Sequence, residues 1–385
     1  MKKLSFLLKQ TFAMIAPFFL SFNAASQLIK AEMEIRDSMQ GLNVVGLAVA
    51  VVKDNAIIYS NAFGLKDIDK KTPLTTHDIF RIASISKSFS ATSIMQLAEK
   101  GKVSIHDDFS KLVGFTIRNP RFPATVITLK MVLSHTSSIN DSEGYFNLDV
   151  ITPGKNPGWE NCYSDYEPGK GYRYCNLNYN MVGAVIEKIS GERFDQYVKH
   201  HILDPLALYG GYCIDSLDSS RFTTLYEYDT AAKIFIPSPM AYAPRREEIR
   251  NYIMGYSTPI FSPTGGMKIS VTDLAKYMMM HMHLGKYNGV KIISKRSAKR
   301  MQKKIAEEEG YGLAISNIGN LVPGKIMTGH TGSAYGLYSA MFFHPKEKFG
   351  IVVITNGSSP IYTDGINTVL RVMINILYRN FIGSD

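Results

Sequence analysis

The sequence predicts an α/β fold of the α+β kind: an antiparallel sheet built from both chain ends and flanked by helices, with an all-α region inserted between them. Three observations carry this. Near the N-terminus, the β-rich runs Val44 to Val52 and Ala56 to Ala62 flank the turn Lys53-Asp54-Asn55. Near the C-terminus, Gly336 to Phe343 and Phe349 to Thr355 flank His344-Pro345-Lys346-Glu347-Lys348 in the same way. From about residue 106 to 259 the strand signals give way to helical spacing and loops.

Taken in chain order, Gln27 to Met39 has apolar residues at helical spacing with mixed charge between them, and the first hairpin follows. Ser86 to Lys100 reads as a helix, with Ile94, Met95, Leu97 and Ala98 apolar and Gly101 as its stop. Helices are predicted near Leu129 to Ser134, Asn178 to Ser190 and Phe194 to His201. After the second hairpin, Ile361 to Tyr378 closes the chain as an apolar helix. No repeat or low-complexity linker marks an independent second unit. The expected organisation is therefore residues 1–26 as a signal peptide and 27–385 as one catalytic domain, with 27–105 and 260–385 forming the α/β part and 106–259 the mainly helical part.

The signal reading rests on Lys2, Lys3 and Lys9 ahead of the apolar stretch Thr11 to Phe22, followed by the small residues Ala24, Ala25 and Ser26. About twelve apolar residues fall short of the roughly 20 that a membrane-spanning helix needs. Cleavage near Ser26/Gln27 would leave no stable membrane span and an exported, periplasmic or secreted product. No cysteine precedes Cys162, which excludes lipid attachment at a signal-peptide cysteine. Cys162, Cys175 and Cys213 are odd in number. A Cys162–Cys175 bridge and three free buried thiols are both open readings. Their spacing matches no zinc pattern, so no metal and no cofactor is expected.

The chain of 385 residues is 45% hydrophobic and 20% charged, which suits a globular protein with a large core. Its formal charge of +10 falls to +7 without the three signal lysines. The basic residues are scattered rather than gathered in a stripe, which argues against a nucleic-acid partner. Oligomeric state is left open.

The chemistry centres on Ser84-Ile85-Ser86-Lys87. A serine hydroxyl is a poor nucleophile at neutral pH, and a lysine three residues on along a helix lies on the same face, where it can take the proton. The bland alternative is a helix that opens with a serine cap and carries a solvated lysine in its first turn. Two further motifs supply what an acylating serine needs. Tyr174-Cys175-Asn176 lies behind the Pro168-Gly169 turn and ahead of a helix. A tyrosine of depressed pKa beside an ammonium exchanges protons, and Asn176 can donate to a substrate carbonyl. Tyr59-Ser60-Asn61 and Tyr145-Phe146-Asn147 share the spacing but lack this setting, and are read as packing residues. His330-Thr331-Gly332-Ser333 stands just ahead of the strand from Gly336. A glycine on a strand lets a ligand lie against the backbone, and the N–H groups of Ser84 and Ser333 would then form a two-donor oxyanion hole.

Three motifs in this order resemble the serine β-lactamase and penicillin-binding-protein superfamily, in its branch of class C β-lactamases, D-Ala-D-Ala carboxypeptidases and related esterases. The likeness extends through Ile127 to Ser137, Pro168 to Leu206, Ser262 to Met267 and Gly329 to Asn356, and covers about residues 41 to 375. It implies a β-lactamase/transpeptidase-like fold in which Ser84 is acylated, Lys87 accepts its proton and Tyr174 shuttles protons. Asn176 would bind the substrate amide, while His330 and Thr331, with Gly332, would face the substrate's carboxylate side. His135, in Ser134-His135-Thr136-Ser137, is implied to be structural rather than the base of a Ser-His-Asp triad.

One departure bears on the reaction. His330 stands where many β-lactamases of this branch have lysine, and a histidine is largely uncharged at neutral pH. The leading expectation is a secreted serine hydrolase working through an acyl-enzyme on D-amino-acid peptides, esters or amides, with cell-wall peptide as the foremost substrate. The alternatives are a class C-like β-lactamase and a penicillin-binding or sensing protein that does not turn over.

Overall fold

Gly46–Lys53 (β1) reads Gly-Leu-Ala-Val-Ala-Val-Val-Lys, apolar at nearly every position rather than at alternate ones, and its first seven residues are buried. A strand of that composition must be covered on both faces. In the computed structural model, which describes residues 26–383, it lies inside a seven-stranded antiparallel sheet. The other strands are Ala56–Asp67 (β2), Thr72–Pro73 (β3), Ser316–Val322 (β9), Lys325–Ala334 (β10), Leu337–His344 (β11) and Phe349–Thr355 (β12), in the order β9-β10-β11-β12-β1-β2-β3. The two chain ends meet where β1 pairs with β12, from Leu47 against Thr355 to Lys53 against Phe349.

Alternate residues of β1 serve two cores. Leu47, Val49 and Val51 pack with Ile35 and Met39 of the helix at 26–41 (α1) and with Leu370, Met373 and Leu377 of the C-terminal helix Thr368–Phe381 (α6). Ala48, Ala50 and Val52 face the larger cluster, which holds the helices Ser86–Glu99 (α2), Asn176–Ser190 (α4) and Val271–Met282 (α5). The predicted signal peptide lies outside the described residues but for Ser26.

α2 is buried from Ser86 to Leu97, so its hydroxyls cannot be solvated. Ser88 Oγ donates to the Ile85 carbonyl at 2.7 Å, Ser93 Oγ to Phe89 at 2.9 Å and Ser90 Oγ to Pro263 at 3.0 Å. A serine-rich helix is thereby admitted to the core with its polar atoms paired.

Several boundaries differ from expectation. The last helix starts at Thr368, because Tyr362–Thr363 and Ile366–Asn367 pair across Asp364-Gly365, both at positive φ as a tight hairpin turn requires. His330-Thr331-Gly332 lies within β10, a strand absent from the expected set, which turns at Tyr335-Gly336 into β11. The inserted region is not all helical. Tyr226–Asp229 (β6) and Ile234–Pro237 (β7) form a hairpin. Gly210–Gly211 (β5) also joins Ile79–Arg81 (β4) and Lys268–Ser270 (β8) in a small sheet beside Ser84. The three cysteines are free and buried, which removes the bridge alternative.

Candidate active site

Ser84 sits in a single 3-10 turn, Ala83–Ile85, between β4 and α2. Ala83 holds φ at +47°, a conformation that is costly for a residue with a Cβ and that turns the serine out of the core. Gly332 packs against this turn: a Cβ there would lie 2.3 Å from the Ile82 carbonyl oxygen and 2.5 Å from Ser339 Oγ. The glycine is required by the close approach of β10 to the turn that carries Ser84, and it also lines the cleft.

Lys87, one turn into α2, is wholly buried. Its Nζ is 3.1 Å from Ser84 Oγ, 2.9 Å from Asn176 Oδ1 and 3.0 Å from the Thr264 carbonyl oxygen. Burial pushes the ammonium down to about 7, against the pull of Asp141 and then Cys175. A neutral amine has two hydrogens and one lone pair. Asn176 Oδ1 and the Thr264 carbonyl can only accept, so in that form they take both hydrogens and leave the lone pair for the Ser84 hydroxyl, whereas the ammonium donates its third hydrogen to Ser84 Oγ.

The orientation of Asn176 is set by Asp141. One Asp141 oxygen accepts from Asn176 N–H at 2.8 Å and from Asn176 Nδ2 at 3.0 Å, and the other accepts from Leu177 N–H at 2.9 Å. Asp141 therefore supplies the anion at the N-terminus of α4, where free N–H groups and the helix dipole favour one. With Nδ2 held there, Oδ1 is turned to Lys87 and also accepts from Thr264 Oγ1 at 2.9 Å. One Nδ2 hydrogen remains for a substrate. Sequence reasoning passed over Asp141, although Asn140-Asp141-Ser142 shortly after Ser134-His135-Thr136-Ser137 was a signal. It also left Thr264 without a role.

Tyr174 stacks on Lys87, whose Nζ lies 4.7 Å from the ring centre. Burial raises its phenol above the usual range, and a hydrogen bond to Ser84 only partly offsets that. Burial thus runs against the depressed tyrosine expected from sequence and keeps Tyr174 a protonated phenol. His135, at φ +59°, accepts the Cys175 N–H on Nδ1 at 3.2 Å and packs on the Tyr174 ring at 4.4 Å. It is buried and held far below its ordinary pKa, so it positions the Tyr174-Cys175-Asn176 segment as a neutral ring.

Across the cleft, His330 is 5% exposed. Its Nδ1 lies 2.5 Å from the Thr331 carbonyl oxygen and its Nε2 3.0 Å from the Tyr311 hydroxyl. Nδ1 therefore carries the proton and Nε2 accepts. Burial and the neighbouring Lys87 push its pKa down to about 4, which makes it an uncharged ring at neutral pH.

The cleft encloses about 660 Å³. Ser84, Tyr174 and Asn176 line one side; His330, Thr331, Gly332 and Ser333 line the other, and Lys87 lies beneath. Sequence reasoning missed further wall residues, among them three polar or charged side chains with no assigned role. Tyr145, taken as a packing residue, faces the cleft, as do Glu227 of β6 and Arg81, the last residue of β4. The other Tyr-x-Asn, Tyr59-Ser60-Asn61, lies on β2, where Tyr59 stacks on Phe381 away from the cleft.

The family profile described as Beta-lactamase matches residues 27–371. Protein flp of Staphylococcus aureus (strain MW2) is 24% identical over 358 residues, covering 87% of this chain and 64% of that protein. The chain thus spans a little under two thirds of that relative's length. Among solved structures, the octameric penicillin-binding protein homologue from Pyrococcus abyssi aligns with a TM-score of 0.72 at 25% identity, covering 91% of this chain and 77% of the other. The D-amino acid amidase from Ochrobactrum anthropi SV3, complexed with D-phenylalanine, also aligns at 0.72, with 18% identity and 94% and 100% of the two chains covered. With Ser84, Lys87 and Tyr174 gathered at one cleft and a family profile running through nearly every described residue, the chain belongs to the Beta-lactamase family.

Proposed function

We propose that this chain is an exported serine hydrolase that works through an acyl-enzyme on Ser84, on D-amino-acid amides and peptides or on small esters. The observation that carries the reading is Lys87 Nζ within 3.1 Å of Ser84 Oγ, held there by Asn176 Oδ1 and the Thr264 carbonyl oxygen.

In this reading Lys87 takes the proton of Ser84 while Oγ bonds to the substrate carbonyl carbon. The N–H groups of Ser84 and Ser333 stabilise the oxyanion, and the free Nδ2 hydrogen of Asn176 holds the substrate amide. Tyr174 gives its phenol proton to the leaving amine or alkoxide and recovers one from the Lys87 ammonium. Water then repeats the sequence in reverse on the acyl-enzyme. A class C-like β-lactamase is the second reading, and the neutral His330 weighs against it by leaving the β-lactam carboxylate without the cation that a lysine would supply.

The test is covalent labelling of the purified protein by a fluorescent penicillin and by a fluorophosphonate. Ser84→Ala is expected to abolish both labels, and survival of either in that variant overturns the nucleophile. Turnover of a chromogenic cephalosporin, short acyl esters, a D-Ala-D-Ala peptide and D-aminoacyl amides then ranks the substrate classes.

A further inference from the structure

Behind the acylation cleft lies a second, smaller chamber of about 40 Å³. Arg81, Phe146, Ser262 and Tyr335 line both spaces. Lys268, Tyr212 and Arg245, the last paired with Glu248 at 2.9 Å, also line the smaller one.

Arg81 and Lys268 are direct partners in the antiparallel pair of β4 and β8. Side chains directly opposite in such a pair stand on one face within contact range, and like charges there repel. Both are buried, Arg81 9% exposed and Lys268 5%. Among the described residues neither has a carboxylate partner. Arg81 donates from Nε to the Gly265 carbonyl at 2.9 Å, and its other contacts are long: 3.3 Å to Ser262 Oγ and 3.5 Å to the Ala241 carbonyl. At least two of its five N–H groups are left over. Lys268 Nζ donates only to the Tyr212 carbonyl, at 2.8 Å. The one carboxylate that acts on Lys268, Asp195, is clamped by Arg193 at 2.6 Å.

Arg81 stacks on the Tyr335 ring at 5.0 Å, and burial, then Arg81, push Lys268 toward its neutral form; an anion placed against both side chains would hold the lysine protonated. A carboxylate matches the flat fork of a guanidinium and fits a space of this size. The cleft itself has lost the usual cation on the β10 side, where His330 is neutral. We propose that the chamber walled by Arg81 and Lys268 is a subsite for a carboxylate, carried into it by the substrate. This rests on the serine-hydrolase reading above and narrows it: the preferred substrates bear a free carboxylate, recognised from the β4–β8 side.

Two arms of one experiment test it on the full-length purified protein. The first compares 4-nitrophenyl hydrogen glutarate with 4-nitrophenyl butyrate, for a carboxylate on the acyl part, and 3-acetoxybenzoate with phenyl acetate, for one on the leaving group. At least one charged substrate is expected to exceed its neutral mate by ~10-fold or more in kcat/KM, a difference of about 1.4 kcal/mol. Arg81→Gln and Lys268→Met should each bring that ratio toward one. The second arm needs no turnover: acetate at constant ionic strength should raise the Tm of the wild type by about 2 °C and leave Lys268→Met unmoved. A charged-substrate preference lost in the variants supports the proposal with or without the acetate effect. An acetate effect with no preference in either pair makes a free anion the occupant and overturns the substrate assignment. Absence of both effects overturns the site altogether. If Arg81→Gln does not fold, Lys268→Met decides both arms. Failure of the serine-hydrolase reading would show separately, as no turnover of any ester and no Ser84 labelling.

Discussion

Asp141 clamps Asn176: its carboxylate holds both the backbone N–H and the side-chain Nδ2 of Asn176, and so turns Oδ1 onto Lys87 at 2.9 Å. The same carboxylate is the largest attraction opposing the desolvation of Lys87. One residue outside the three motifs thus bears on both the geometry and the proton affinity of Lys87.

Asp141→Asn keeps the shape but removes the charge. Acylation is expected to fall ~10- to 100-fold, in line with the loss of about 1.5–3 kcal/mol of charge-assisted hydrogen bonding. The ascending limb of the pH–rate profile, near 7 in the wild type, should move to lower pH, because the lysine loses the charge that favoured its protonation. A rate loss with an unmoved limb would make Asp141 a helix cap and nothing more.

Lys87→Met should abolish acylation and also change the pH dependence of stability. The lysine's pKa falls from 10.5 to about 7 on folding, so between those values the unfolded state binds the extra proton and wild-type stability rises with pH. Relative to wild type, the variant is therefore most favoured below pH 7, and that advantage fades toward pH 10.5. Chemical denaturation at pH 7 and pH 9.5 measures the change. A constant gap between the two proteins would contradict the buried, neutral amine.

Tyr174→Phe is expected to slow acylation by about 10²- to 10⁴-fold, the usual worth of a positioned proton-transfer group. Because burial keeps the wild-type phenol protonated, its rate should stay level from pH 8 to 10. A descending limb in that interval would restore a low-pKa tyrosine.

Gly332→Ala places a Cβ against the Ile82 carbonyl and Ser339 Oγ, and both lie on or under the nucleophile turn. Overpacking of this kind costs about 1–3 kcal/mol. The Tm should drop, and Ser84 labelling should be lost along with it. Wild-type labelling in this variant would show that β10 can withdraw without moving the turn.

Much of this protein is legible along the chain. The hairpins at Lys53-Asp54-Asn55 and His344 to Lys348, and the helices at Ser86 and Asn176, follow from local periodicity and turn chemistry, which act over a few residues. The three motifs follow from residue type and order, and the structure gathers them into one cleft. Local pattern failed where pairing is not local. The His330 strand was missed because its partner β9 is short of apolar alternation, and the last helix was overextended across an Asp-Gly hairpin.

The sequence by itself determined which residue carries the hydroxyl, which carries the amine and in what order they come. Only the tertiary structure decided their protonation. Burial lowers Lys87 to about 7, makes His330 an uncharged ring and keeps Tyr174 protonated, and desolvation is a property of what surrounds a group rather than of its neighbours in the chain. Likewise, Asp141 beneath Asn176 and Arg81 opposite Lys268 are contacts between distant segments, created by the closing of the fold.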